Sequence, residues 1–192
     1  MSQAKKTKLI MSKSKIQLFF LFLLLCSQSI FSQSFEDGYY RLTTKWLSQV
    51  KSLDVVNDGA NNKLQLANTS NTSGQYWKIT ALGDGYYRLT TQWLGENKSL
   101  DVVNDGANNK LQLADSSNAS GQYWKIISVG DGYYRLTTKW LGERKSLDVV
   151  NDGLDNKIQL ATTGDFSGQL WKITSLSPVN DAPKVTLKPK NI

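Results

Sequence analysis

Apolar and polar residues alternate through short runs of this chain. Tyr40 and Leu42, Leu53 and Val55, Leu64 and Leu66, and Trp77 and Ile79 each stand two apart. That spacing places side chains on one face of a β-strand. The runs are Gly38 to Trp46, Lys51 to Val56, Lys63 to Ala67 and Gln75 to Leu82. Asn57-Asp58-Gly59 interrupts the second and third with turn chemistry, and an Asn/Thr/Ser/Gly-rich stretch separates the third from the fourth. No helical period of useful length competes. The pattern predicts an all-β unit of four short strands.

The pattern then returns twice. DGYYRLTT begins at Asp37, Asp84 and Asp131, KSLDVVNDG at Lys51, Lys98 and Lys145, and SGQ-x-WKI at Ser73, Ser120 and Ser167, each step being 47 residues. Asp37–Ala67 and Asp84–Ala114 differ at four of 31 positions, so the units must be folded by the same contacts. The units are residues 37–83, 84–130 and 131–177. One alone buries too little surface to be stable. A propeller needs four or more blades, and an open solenoid needs atypical capping repeats, whereas the first and last units here are as apolar as the middle one. Three equal, uncapped units predict one closed, pseudo-three-fold domain of 12 strands over residues 34–177.

The flanks differ in character. Lys5, Lys6, Lys8, Lys13 and Lys15 precede an apolar run from Ile16 to Leu25, followed by the small and polar stretch Cys26 to Ser34. This is the layout of a secretory signal, expected to span residues 1–33 with cleavage near Gln33 or Ser34 and a second plausible start at Met11. The apolar run is short for a membrane span, so no stable membrane insertion is expected after cleavage, and a secreted or cell-surface location is. At the other end, residues 178–192 carry all three prolines and read as a flexible tail or truncated linker.

The leader changes the charge argument. The chain has 23 Lys+Arg against 16 Asp+Glu. Five of the lysines lie in the leader, leaving 18 against 16, or about +2. With both signs interspersed there is no clustered basic face of the kind nucleic acid requires. The single cysteine, Cys26, lies in the leader, and there is no histidine. Disulfides, thiol chemistry and a Ser-His-Asp triad are thereby excluded from the exported domain.

LDV in the second strand (Leu53, Leu100, Leu147) together with Q-x-W in the fourth (Gln75, Gln122, Gln169) resembles the ricin-type β-trefoil lectins across Phe35 to Leu176. The resemblance implies a β-trefoil of three four-stranded repeats. It implies that Trp77, Trp124 and Trp171 pack in the core and that Gln75, Gln122 and Gln169 brace the backbone around them. It also implies carbohydrate binding through the acid of LDV, here Asp54, Asp101 and Asp148, and a glutamine of the third strand, here Gln65, Gln112 and Gln159. The aromatic platform of that family's pocket is replaced by Ala67, Ala114 and Ala161, and its Asn by Gly74, Gly121 and Gly168. Trp46, Trp93 and Trp140, at the end of each first strand, are the candidate substitute platforms. The expected sites are therefore three equivalent weak ones: Trp46 with Asp54 and Gln65, and the corresponding residues of the other units. For Trp46 a structural role, plugging the barrel end or packing beneath a hairpin, stands equally open.

Other signals carry less. The string DVVNDG from Asp54 has part of a calcium-loop spacing, but Val56 stands where an oxygen ligand is needed. It reads as a turn in which Asn57 and Asp58 bond their own backbone. Only Glu36, Glu96 and Glu143 supply glutamates, and no unit offers a facing pair of acids for glycoside hydrolysis. The expectation is a monomeric, non-catalytic carbohydrate-binding module with glycans or polysaccharide as partners, without metal, cofactor or nucleic acid. The alternative is a β-trefoil that has lost sugar binding and serves as a protein-interaction or structural module.

Overall fold

The computed structural model describes residues 35–176. The expected leader at residues 1–33 and the tail at 178–192 lie outside the described residues. The first unit holds β1 (Tyr39–Thr44), β2 (Ser48–Val55), β3 (Leu64–Asn68) and β4 (Trp77–Gly83). The second holds β5 (Tyr86–Thr91), β6 (Gly95–Val102), β7 (Leu111–Asp115) and β8 (Trp124–Gly130). The third holds β9 (Tyr133–Thr138), β10 (Lys145–Val149), β11 (Ile158–Thr162) and β12 (Trp171–Leu176). The twelve strands of the sequence pattern are all present, with two differences that bear on function. Each fourth strand starts at the Trp of Q-x-W, because Ser73–Gln75 and its two repeats curl into a 3-10 turn. Each first strand stops at Thr44 or its counterpart, so Trp46 sits in a turn. The Thr44 hydroxyl oxygen accepts the Leu47 N–H at 3.2 Å, as do Thr91 and Thr138 from Leu94 and Leu141.

The broad ladders run between units. β1 pairs antiparallel with β12 from Tyr39↔Leu176 to Thr44↔Trp171. β4 pairs β5 and β8 pairs β9 in the same way. The last strand of one unit thus joins the first strand of the next, and the third unit returns to the first. The seams between β1 and β4 and between β5 and β8 hold two residue pairs each, and that between β9 and β12 holds one. Closure therefore rests on three wide inter-unit ladders, and the strands do not form a barrel with continuous ladders. The remaining strands make hairpins, β2 with β3, β6 with β7 and β10 with β11. Their loops interlock: Leu66 N–H donates to Asn156 O, Leu113 N–H to Asn62 O and Leu160 N–H to Asn109 O, at 2.8–2.9 Å. In the first loop Asp58 accepts the Asn61 N–H at 3.0 Å and pairs with Lys63 Nζ at 2.7 Å, so this acid braces its own turn.

The core follows the alternation. Leu42, Leu53, Val55, Leu66 and Trp77, with their repeats, are buried. Leu64, expected inside, is only half-buried. Trp77, Trp124 and Trp171 are fully buried, and each indole N–H donates at 2.9 Å to the carbonyl of the Leu in LDV. A single residue closes one end of this core. Phe35 stands edge-on to Tyr40 and Tyr87 at 5.4 and 5.3 Å and meets Tyr134 at 6.2 Å, three tyrosines equivalent in the three units. Replacing Phe35 with alanine empties that shared contact. It is expected to cost about 2–3 kcal/mol of stability, below the full core Phe→Ala range because Phe35 is only half-buried. Urea unfolding checks this, and an unchanged midpoint would contradict it.

Candidate functional site

The site is assembled from three short pieces. Asp54 near the end of β2 faces Gln65 of β3 directly across the hairpin, and Asp101 faces Gln112 and Asp148 faces Gln159 in the same register. Both members of each pair are half-buried. The third piece is the 3-10 turn. Gln75 is buried. Its amide donates to Asn68 O at 2.9 Å and accepts from Ser70 N–H at 2.9 Å, holding the loop closed. The same nitrogen reaches Asp54 Oδ2 at a long 3.5 Å, with 3.3 and 3.4 Å at Asp101 and Asp148. The other carboxylate oxygen accepts the next residue's backbone N–H, at 2.8 Å in Val55. A carboxylate has about four acceptor positions, so each acid keeps capacity for further donors.

Gly74 explains one departure from the family pocket. A Cβ built on Gly74 would lie 2.6 Å from Asp54 Oδ1, and one on Gly121 or Gly168 would lie 2.5 or 2.7 Å from its acid. The carboxylate occupies the place that any side chain at this position would need. A side chain here, such as the Asn of the resembling pocket, requires the carboxylate to shift. Substituting Gly121 with alanine must push Asp101 off the Val102 N–H, whose nitrogen lies 3.4 Å from that same Cβ position. The expected loss is about 1–2 kcal/mol in stability, read by thermal unfolding, while a change below a few tenths would contradict the tight approach.

The tryptophans come from the neighbouring unit. The backbone N–H of Trp93 donates to Ser73 O, that of Trp140 to Ser120 O and that of Trp46 to Ser167 O, at 3.2–3.3 Å. Each Trp-bearing turn thus sits on the 3-10 turn of the preceding unit. Asp54, Gln65, Gly74 and Trp93 line one cavity of about 250 Å³. Asp148, Gly168 and Trp46 line another of about 620 Å³, joined by Phe166. Sequence reasoning grouped Trp46 with Asp54 and Gln65; the structure places Trp93 there, Trp140 with the Asp101 unit and Trp46 with Asp148. The three indoles are half-buried and pack against the core edge, and it is Phe35 that closes one end of the core. Four half-buried tyrosines lie beside cations: Arg41 lies over Tyr76, Lys45 over Tyr133, and Lys139 over both Tyr86 and Tyr123 at 5.3–5.7 Å. Ala67 offers no platform, lying opposite Ser52 in the hairpin.

Burial lifts the Asp148 carboxyl above the ordinary carboxylate value, opposed by the hydrogen bonds from Gln169 and Val149. Among the described residues no group of three or more acids or other metal-binding side chains converges. Nor is any described helix long and apolar enough to cross a membrane.

No protein-family model matches the chain, and no curated protein matches it. Solved structures do. The designed three-fold symmetric protein ThreeFoil is 31% identical, with a TM-score of 0.64 over 73% of this chain and 100% of its own. An exo-β-1,3-galactanase from Clostridium thermocellum is 26% identical with a TM-score of 0.61, but the match covers 31% of that enzyme, so this chain corresponds to about a third of it. The Macrolepiota procera ricin B-like lectin, solved in complex with lactose, is 16% identical with a TM-score of 0.60 over 75% of this chain and 99% of that one. With three equivalent units, inter-unit ladders and a buried Q-x-W brace in each, the chain belongs to the ricin-type β-trefoil family.

Proposed function

We propose that this protein is a secreted, non-catalytic carbohydrate-binding module with up to three weak sites, each shared between two units. The observation that carries this reading is the cavity in which Asp54 and Gln65 meet Trp93. A cleft with an apolar wall and a few converging polar groups is the ordinary form of a small-molecule site. Here the indole offers a face to the C–H surface of a sugar ring while the carboxylate and amide take its hydroxyls. Similar folds solved with lactose and with the asialo-GM1 saccharide support the ligand class. Three weak sites on one rigid domain give avidity on a multivalent glycan surface. Glycan-array and polysaccharide pull-down experiments on the folded domain test it, and failure to retain any glycan would sink it.

The second reading, a trefoil that serves as a protein-interaction or structural module, is favoured by one observation: Ala67, Ala114 and Ala161 leave the usual platform position bare. Pull-down of protein but no glycan would select it.

The acid at the third site adds a pH dependence. Burial favours protonated Asp148 in the folded state, so this group's contribution to stability is present below the carboxyl range and is lost as pH rises through its raised pKa. Binding runs the opposite way, since a sugar hydroxyl donates to the carboxylate. Affinity at the Trp46 site is expected to fall as pH drops, with a midpoint above the 3.8 of a free aspartate. Titrating binding between pH 7 and pH 3 checks this, and a midpoint at or below the free value would contradict it.

A further inference from the structure

The loop that precedes the 3-10 turn differs among the three sites. The positions before the 3-10 turn read Ser70-Asn71-Thr72, Ser117-Asn118-Ala119 and Gly164-Asp165-Phe166. Phe166 is 62% exposed, one of three large hydrophobic side chains more than 60% exposed among the described residues and the one aromatic among them. Its ring lines the same cavity as Trp46 and Asp148. The neighbouring glycine makes this possible. A Cβ on Gly164 would fall 2.5 Å from Phe166 Cε2 and 2.9 Å from Cδ2, so the serine found in the other two units could not stand beneath this ring. Gly164 and Phe166 thus fit each other, and the third unit has an aromatic wall where the others carry Thr72 and Ala119. The cavity there is about 620 Å³, against about 250 Å³ at Asp54 and Trp93.

Accepting the carbohydrate reading above, we infer that the third site is the principal one and takes a glycan of at least two sugar units, with Trp46 and Phe166 as its two stacking surfaces. The Asp54 and Asp101 sites each hold one ring and bind one sugar weakly. Asp148 supplies the acceptor at the core of the site. Phe166 acts on chain length, because a second aromatic face rewards a ligand only where a second sugar reaches it. A single sugar gains little from it.

The experiment follows the six indole N–H resonances by two-dimensional NMR while the domain is titrated with three pairs of probes: galactose and lactose, glucose and cellobiose, N-acetylglucosamine and chitobiose. The buried indoles of Trp77, Trp124 and Trp171 are internal references. For at least one pair, the Trp46 midpoint is expected to be about fivefold lower for the disaccharide than for the monosaccharide, and lower than those at Trp93 and Trp140. Phe166→Ala should bring the Trp46 midpoint within about twofold of the others. The double change Ser70→Gly with Thr72→Phe should confer the disaccharide preference on Trp93. A common midpoint for the three indoles, or a Trp46 midpoint unmoved by Phe166→Ala, overturns this inference and leaves the carbohydrate reading standing. If no probe moves Trp46, Trp93 or Trp140, the carbohydrate reading fails and this inference with it.

Discussion

Replacing Trp124 with alanine is expected to bring the domain to the edge of unfolding. The side chain is fully buried, and its N–H is the donor to Leu100 O at 2.9 Å. Truncation of a core Trp costs about 3–5 kcal/mol through lost burial and the cavity left behind. The orphaned carbonyl adds about 1–3 kcal/mol. Against a total stability of about 5–15 kcal/mol for an ordinary domain, that is a large share. The equivalent changes at Trp77 and Trp171 should cost nearly the same, because the three contacts are copies at the same distance. Gln122→Ala should cost less, about 2–3 kcal/mol, leaving Ser117 N–H and Asp115 O unpaired. Urea unfolding followed by near-ultraviolet circular dichroism ranks them. If Trp124→Ala unfolds within about 1 kcal/mol of the parent, the brace does not hold the unit as described.

Much of this architecture is legible in the residues, and the rest is hidden for definite reasons. The strands could be read because a half-buried strand must alternate, and Tyr40, Leu42, Leu53, Val55 and Leu66 do so and are buried. The fold could be read because near-identical units without caps have to join one another. The partner of each tryptophan could not. In a near-perfect repeat a contact within a unit and a contact between units leave the same pattern, so Trp46 beside Asp54 and Trp93 beside Asp54 are indistinguishable until the broad ladders are seen to cross unit boundaries. Gly74 reads in the chain as a missing Asn, and only the 2.6 Å approach of Asp54 Oδ1 shows that a side chain there must displace the acid. Phe35 and Phe166 are single-copy residues in a threefold pattern. The repeat draws the eye away from them, although their breaking of symmetry was the one signal that could have marked both.

Counting binding sites in paired variants will show whether the tryptophan of each site belongs to the next unit. At a glycan concentration that just fills its sites the parent domain is expected to bind three equivalents in calorimetry, and a site weakened tenfold or more stays largely empty there. Asp54→Asn removes the carboxylate charge of one site and turns one of its two acceptor oxygens into a donor, and Trp93→Ala removes the wall of that same site, so either change should leave two, with affinity at the damaged site down at least tenfold, about 1.4 kcal/mol. The double variant should still leave two, because both changes fall on one cavity. Asp54→Asn with Trp46→Ala should leave one, since Trp46 stands with Asp148. Pairing within units would reverse the outcome, with one site remaining in the first double variant and two in the second. The indoles are half-buried at the core edge, so each variant's unfolding midpoint is measured alongside. A fall in site number with the midpoint preserved separates a lost sugar wall from a loosened turn.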